Sequence, residues 1–301
     1  MNYNDFKDYI LTEIRERIEG SEPEYREILK NNGICLDGLI VNRKDSKISP
    51  TLYMNDFFDS YQKGANLEEI TDVIANILKN NTISKDFDVE DFFSFERIKD
   101  RIVMKVINLQ MNEKLLSDVP YREFLDLAVC YYVYISDNNF DNASVLINNS
   151  HAKMWNLTEE ELFETASVNT KKILKSELCT MTETLRRIME NDNKDEDFGL
   201  NLLENDDCGM YILSNSSNHY GASSILDRDV LKNFADEIDS DFYILPSSVH
   251  ELILLPTTNV DSVESLNEMI VEVNETQVPK QDILSDHAYY YNRRTASVTF
   301  C

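Results

Sequence analysis

Seven glycines in 301 residues are too few and too scattered to build a dinucleotide-binding loop, and no G-x-G-x-x-G occurs. The stretch "GICLDG" has the glycine spacing of a phosphate-binding loop. It lacks the lysine and hydroxyl residue that must follow, so that phosphate cradle is not encoded. The four histidines, at 151, 219, 250 and 287, lie more than thirty residues apart, so no helix can carry two of them as a zinc pair. The five cysteines, at 35, 130, 179, 208 and 301, include no CxxC. An odd number without close pairs suits reduced thiols in a reducing compartment. No apolar run exceeds the nine residues from Leu127 to Ile135, too short to span a bilayer, and the N-terminus lacks the basic start and apolar core of a signal peptide. These absences predict a soluble cytoplasmic protein with no cofactor and no metal site. The acidic "DNKDEDFG" fails as a calcium loop because Lys194 and Phe198 would fall at ligand positions.

Basic residues are also scarce: 29 stand against 55 acids, for a formal charge of −26. Such a surface repels phosphate backbones and anionic lipid heads, so direct nucleic-acid or membrane binding is not expected. It favours solubility first and a basic protein partner second. What is present is a sizeable core, with 42% hydrophobic residues.

The periodicity predicts an α+β fold. Phe6, Ile10, Ile14 and Ile18 mark an amphipathic helix, and Pro23 to Lys30 reads as a second, short one. Paired β-like runs followed by a helix then recur: 34–41 and 48–54 before a helix with Leu67, Ile70, Ile74 and Leu78, capped by Asn66; 124–135 and 142–147 before a helix with Thr158 and Glu161 at capping-box spacing; 209–215 and 220–226 before a helix from Asp227; 241–245 and 250–256 before one capped at Asp261. Repeated ββα units are therefore expected, forming antiparallel or mixed sheets packed by long amphipathic helices at 93–112 and 170–191. A hairpin turning at Arg293–Arg294–Thr295 closes the chain. The acidic stretch 191–208 reads as a linker or loop between an N-terminal lobe, 1–190, and a C-terminal lobe, 209–301.

Candidate chemistry centres on "PSSVHE", 246–251. Ser248 and His250 would share a strand face, with Glu251 on the other. A Ser–His pair would need an acid from elsewhere, such as Asp286 beside His287. The alternative is a turn in which proline and serines satisfy the backbone between two strands, and it explains more of the stretch. Trp155 reads as a core anchor and Tyr289 to Tyr291 as a strand.

Eight blocks in order, among them "LKNNGICLDGLIV", "ISPTLYMNDFF", "PYREFLDLAVCYYV", "MWNLTEEEL", "FYILPSSVHELILLP" and "ILSDHAYYYNR", resemble a bacterial family of gut Firmicutes known as domain of unknown function 5688. The resemblance spans nearly the whole chain. It implies an intracellular bacterial protein and brings no activity, cofactor or catalytic residue. Serine often stands in that family where this chain has His287, which leaves His250 the better histidine. Three functions are carried forward: a non-enzymatic adaptor or regulatory protein with a basic partner, a hydrolase using Ser248 and His250, and an acidic mimic of a nucleic acid.

Overall fold

A computed structural model describes residues 1–18, 20, 22–42, 51–80, 89–137, 140–192, 209–260 and 262–301. The polar turns near 43–47 and 138–139, most of the acidic stretch 191–208 and the Asp261 cap lie outside the described residues. The fold is α+β with three antiparallel sheets.

The first sheet has the order β1(Glu22–Leu29)–β2(Cys35–Asn42)–β3(Thr51–Tyr53). Helices α1(Tyr3–Arg17), α2(Met54–Gln62) and α3(Leu67–Asn80) cover it. Phe6, Ile10 and Ile14 of α1 meet Leu39, Met54, Ile74 and Leu78 in a self-contained core. Asn66 caps α3 as expected, accepting from Glu68 N at 2.8 Å. The expected helix over Pro23 to Lys30 is instead strand β1, paired with β2 along its full length from Glu22↔Asn42 to Leu29↔Cys35. Pairing with an apolar neighbour outweighs a local helical preference that is weak to begin with.

The second sheet is centred on β6(Leu127–Asp137), flanked by β4(Ile102–Asn108), β5(Tyr121–Phe124) and β7(Phe140–Leu146). The long helix expected at 93–112 is not formed. Short helices α4(Val89–Phe92) and α5(Phe95–Ile98) lead into strand β4, and α6(Glu113–Leu116) follows it. β4 is buried on both faces: Ile102, Met104 and Val106 enter one core, Val103 and Ile107 another. A strand buried on both sides shows no alternation, which is why its periodicity misleads.

Helices α7(Asn149–Trp155) and α8(Glu159–Ile173) pack on this sheet. Thr158 and Glu161 form the expected capping box at the start of α8. Trp155 is buried, and its indole N–H donates to Phe92 O at 2.9 Å. The helix expected over 170–191 breaks into the end of α8, strand β8(Ser176–Thr180) and helix α9(Met181–Asp192).

The third sheet runs β13(Ser297–Phe300)–β12(Tyr289–Asn292)–β10(Phe242–Leu245)–β11(Leu252–Pro256)–β9(Tyr211–Asn215)–β8. Helix α10(Arg228–Glu237), capped by Asp227, and helix α11(Val263–Thr276), capped by Ser262, pack against it. The 220–226 strand does not form; Gly221–Leu226 is a 3-10 turn. The pairs β2–β3, β6–β7 and β10–β11 each form ahead of a helix, but the expected ββα repeat is incomplete. Its third copy lacks a strand, and β10–β11 is an interior hairpin with β12 and β9 on its flanks. Residues on both sides of the acidic stretch share one core, from Ile102 and Tyr131 to Phe242 and Tyr289, and β8 pairs with β9 across it. No helix among the described residues is long and apolar enough to cross a membrane.

Candidate functional site

Where the small N-terminal core meets the rest of the chain, a cleft of about 410 Å³ opens. Small-molecule sites commonly span about 300–1,000 Å³. One wall is Ile28, Leu29, Lys30 and Asn31; the other is Lys105, Tyr132, His219, Tyr220, His250 and Asp282. Its mouth is bolted by asparagines. Asn32 N donates to Asn112 Oδ1 at 2.8 Å, Asn112 Nδ2 returns a bond to Asn32 Oδ1 at 2.8 Å, and Asn32 Nδ2 reaches Lys280 O and Ile283 O at 2.8 and 2.7 Å. Asn32 holds a left-handed backbone, φ 56°, which asparagine tolerates better than most residues. These bonds fix the 280–283 segment, and with it Asp282, against the N-terminal wall.

At the floor stands Lys105. It lies in the middle of β4, opposite Cys130 of β6, with Val103 and Ile107 on its own face. Only 7% of its surface is exposed. Its Nζ sits 4.0 Å from the ring centroids of both Tyr132 and Tyr220. Among the described residues it makes no hydrogen bond. Burial pushes the amine down to about 7 from its ordinary 10.5; nearby Lys30 adds to this, while Asp282 opposes it. The two tyrosine faces also oppose it, because a ring quadrupole favours the ammonium form. Cys130 is itself pushed up to about 12 by burial, so a neutral thiol lies beside the amine.

The upper wall is set by the loop after β9. Buried Asn215 gathers it: Asn215 Oδ1 accepts from Ser217 N at 3.0 Å, and Asn215 Nδ2 donates to His219 O at 3.0 Å. Tyr220 then adopts a left-handed backbone, φ 54° and ψ 33°. For a bulky residue that conformation costs of order 1–2 kcal/mol, and surrounding structure must hold it. Its N–H donates to His250 Nδ1 at 3.2 Å, and its ring stacks on the His250 ring at 5.6 Å. Because Nδ1 accepts, the His250 proton sits on Nε2, which faces Asp282 Oδ1 at 3.5 Å. His219 lies 5.2 Å from His250, ring to ring. Burial, then His250 and Lys105, pull it down to about 4, so it is neutral at neutral pH. Gly221 makes the close packing possible: a Cβ there would overlap Ser214 Oγ, His250 O and Asn215 N.

The residues singled out from sequence fall as follows. His250 is in the cleft. Ser248 does not meet its ring: the Ser248 hydroxyl accepts from His250 N at 3.1 Å, and Ser248 N donates to Glu251 O at 3.2 Å. That is serine turn chemistry, and both His250 ring nitrogens already face other groups. Asp286 accepts from Asn274 of α11 at 2.8 Å, and His287 packs edge-on against Phe300. A Ser248–His250 dyad completed by Asp286 or Glu251 is thus not assembled. Lys105, His219, Tyr220 and Asp282 were missed. The usable signal was a lone lysine inside the apolar run "IVMKVI".

Two larger concavities differ in character. One of about 790 Å³ over α7 and α8 is broad and open, and Thr158 and Glu161 in it are already engaged in helix capping. In another of about 550 Å³, Arg122 is already tied to Glu159 and Glu160. Among the described residues no group of three or more histidines, cysteines, aspartates or glutamates could hold a metal ion.

Fold and cleft together define an α+β protein with an ionisable, aromatic-walled pocket between a small N-terminal body and a larger one. The chain belongs to the family of unknown function DUF5688, whose model matches residues 3–293. No curated protein and no solved structure matches it.

Proposed function

We propose that this protein binds a small anionic compound in the cleft, with an oxygen of the ligand accepting a hydrogen bond from Lys105. The supporting observation is the Lys105 amine, which reaches the cleft from a side chain only 7% exposed and has no acceptor among the described residues. A ligand oxygen satisfies it. Lys30 adds positive charge from the facing wall, its Nζ donating to Tyr53 OH at 3.0 Å. Placing two lysines in a pocket of a chain carrying −26 overall draws a small anion to one place.

The test is an NMR titration of the labelled protein with glycolate and with phosphate. The expected result is saturable shifts at His219, Tyr220 and Lys30 for at least one of them, weakened about tenfold or more by Lys105→Met, as the loss of a charge-assisted bond requires. No shift with either anion at millimolar concentration would contradict the proposal. The acid excess supports a second reading, a basic protein partner on the outer surface. Binding of that kind would weaken steeply with added salt.

A further inference from the structure

The geometry points to Lys105 as an amine nucleophile that forms an imine with the carbonyl group of a small anionic aldehyde or ketone entering the cleft. This rests on the anion-binding reading and deepens it by naming the ligand's reactive group.

Three placements carry it. The amine is the floor of a cleft large enough for a small metabolite, not a solvated surface group. It is held between the Tyr132 and Tyr220 faces rather than by hydrogen bonds, so its lone pair, once deprotonated, is not committed elsewhere. Two histidines stand at its rim, and among the described residues the ring nitrogens of His219 make no hydrogen bond. Desolvation in such a site leaves a substantial fraction of the amine neutral at neutral pH, the condition an amine nucleophile needs.

The step balances without an oxidant or reductant. The Lys105 lone pair adds to the carbonyl carbon, and the C=O π pair moves to oxygen. Two protons leave the nitrogen for that oxygen. The oxygen departs as water and a C=N bond remains. Lys30 would hold the ligand's anionic end. The tyrosine faces screen the bond from bulk water.

The test uses glyoxylate, which carries an aldehyde and a carboxylate, with cyanoborohydride to reduce any imine to a stable secondary amine. Labelling of the whole protein at pH 7 is read by peptide mass spectrometry. Lys105 should be modified about tenfold or more faster than any other lysine, because ordinary lysines are almost wholly protonated there. Glycolate, which lacks the carbonyl, should slow the labelling. Lys30→Ala should reduce it while leaving the fold intact. Labelling of Lys105 no faster than that of surface lysines, with glycolate still shifting cleft resonances, overturns the imine and leaves the anion site standing. Absence of labelling together with absence of binding by glycolate and by phosphate overturns both.

Discussion

Replacing Lys105 by methionine should stabilise the protein at neutral pH, and the advantage should fade as the pH rises. The folded chain releases this proton more readily than the unfolded chain, since burial holds the amine near 7 against an ordinary 10.5. Between those values the unfolded chain binds more protons, so wild-type stability rises with pH across that window. At about 1.4 kcal/mol per pH unit the full gap is about 5 kcal/mol. Half the amine is already neutral at pH 7, and the unfolded lysine is partly neutral at pH 10, so the change between pH 7 and pH 10 is about 3–4 kcal/mol. The faces of Tyr132 and Tyr220 favour the ammonium form by about 1 kcal/mol and trim this to about 2–3 kcal/mol. Methionine has no such proton. Urea unfolding of both proteins at pH 7, 8, 9 and 10 isolates the effect, because the packing difference between lysine and methionine does not titrate. The stability difference should shrink by about 2–3 kcal/mol over the series. A constant difference, or one that grows with pH, would refute the argument that Lys105 is a desolvated amine.

Other expectations follow from the same structure. Gly221→Ala should cost about 1–3 kcal/mol and shift the Tyr220 and His250 resonances, since the new Cβ collides with backbone at His250 and Asn215; an unchanged melting curve would contradict it. Asn112→Ala removes two bonds to Asn32 and should cost about 1–3 kcal/mol, with raised hydrogen exchange at Asn32 N–H as the local sign. Thr158→Ala, by contrast, should cost about 1 kcal/mol in thermal unfolding and leave cleft resonances where they are. Under native conditions a thiol-alkylating reagent should modify exposed Cys35 and Cys301 well before Cys130, whose thiol is buried and held protonated.

Much of the architecture was legible where local signals and tertiary packing agree. Asn66, Thr158 with Glu161, and Asp227 name their helix starts because capping is local chemistry. The 289–300 hairpin and the β10–β11 pair read correctly because alternation and turn residues coincide. The errors share one cause. At 22–29, 102–108 and 176–180 the strand is made by its partners, not by its own pattern. The misreading of β4 as a helix also hid the site. On a helix, Lys105 is an unremarkable surface lysine; on a strand buried on both faces, it is an amine with nowhere to go but a cleft. His250 was noticed for its neighbours in sequence, Ser248 and Glu251. Its partners in space, Tyr220 and Asp282, come from loops that no local pattern links to it.

The most direct measurement is the titration of the lysine ¹³Cε resonances in the wild-type protein, with Lys105 assigned by its absence in Lys105→Met, with and without glycolate. The account predicts one lysine titrating well below the others, near pH 7–8, and moving upward when the anion binds beside it. Lysines that all titrate together near 10.5, with none responding to the anion, would contradict it.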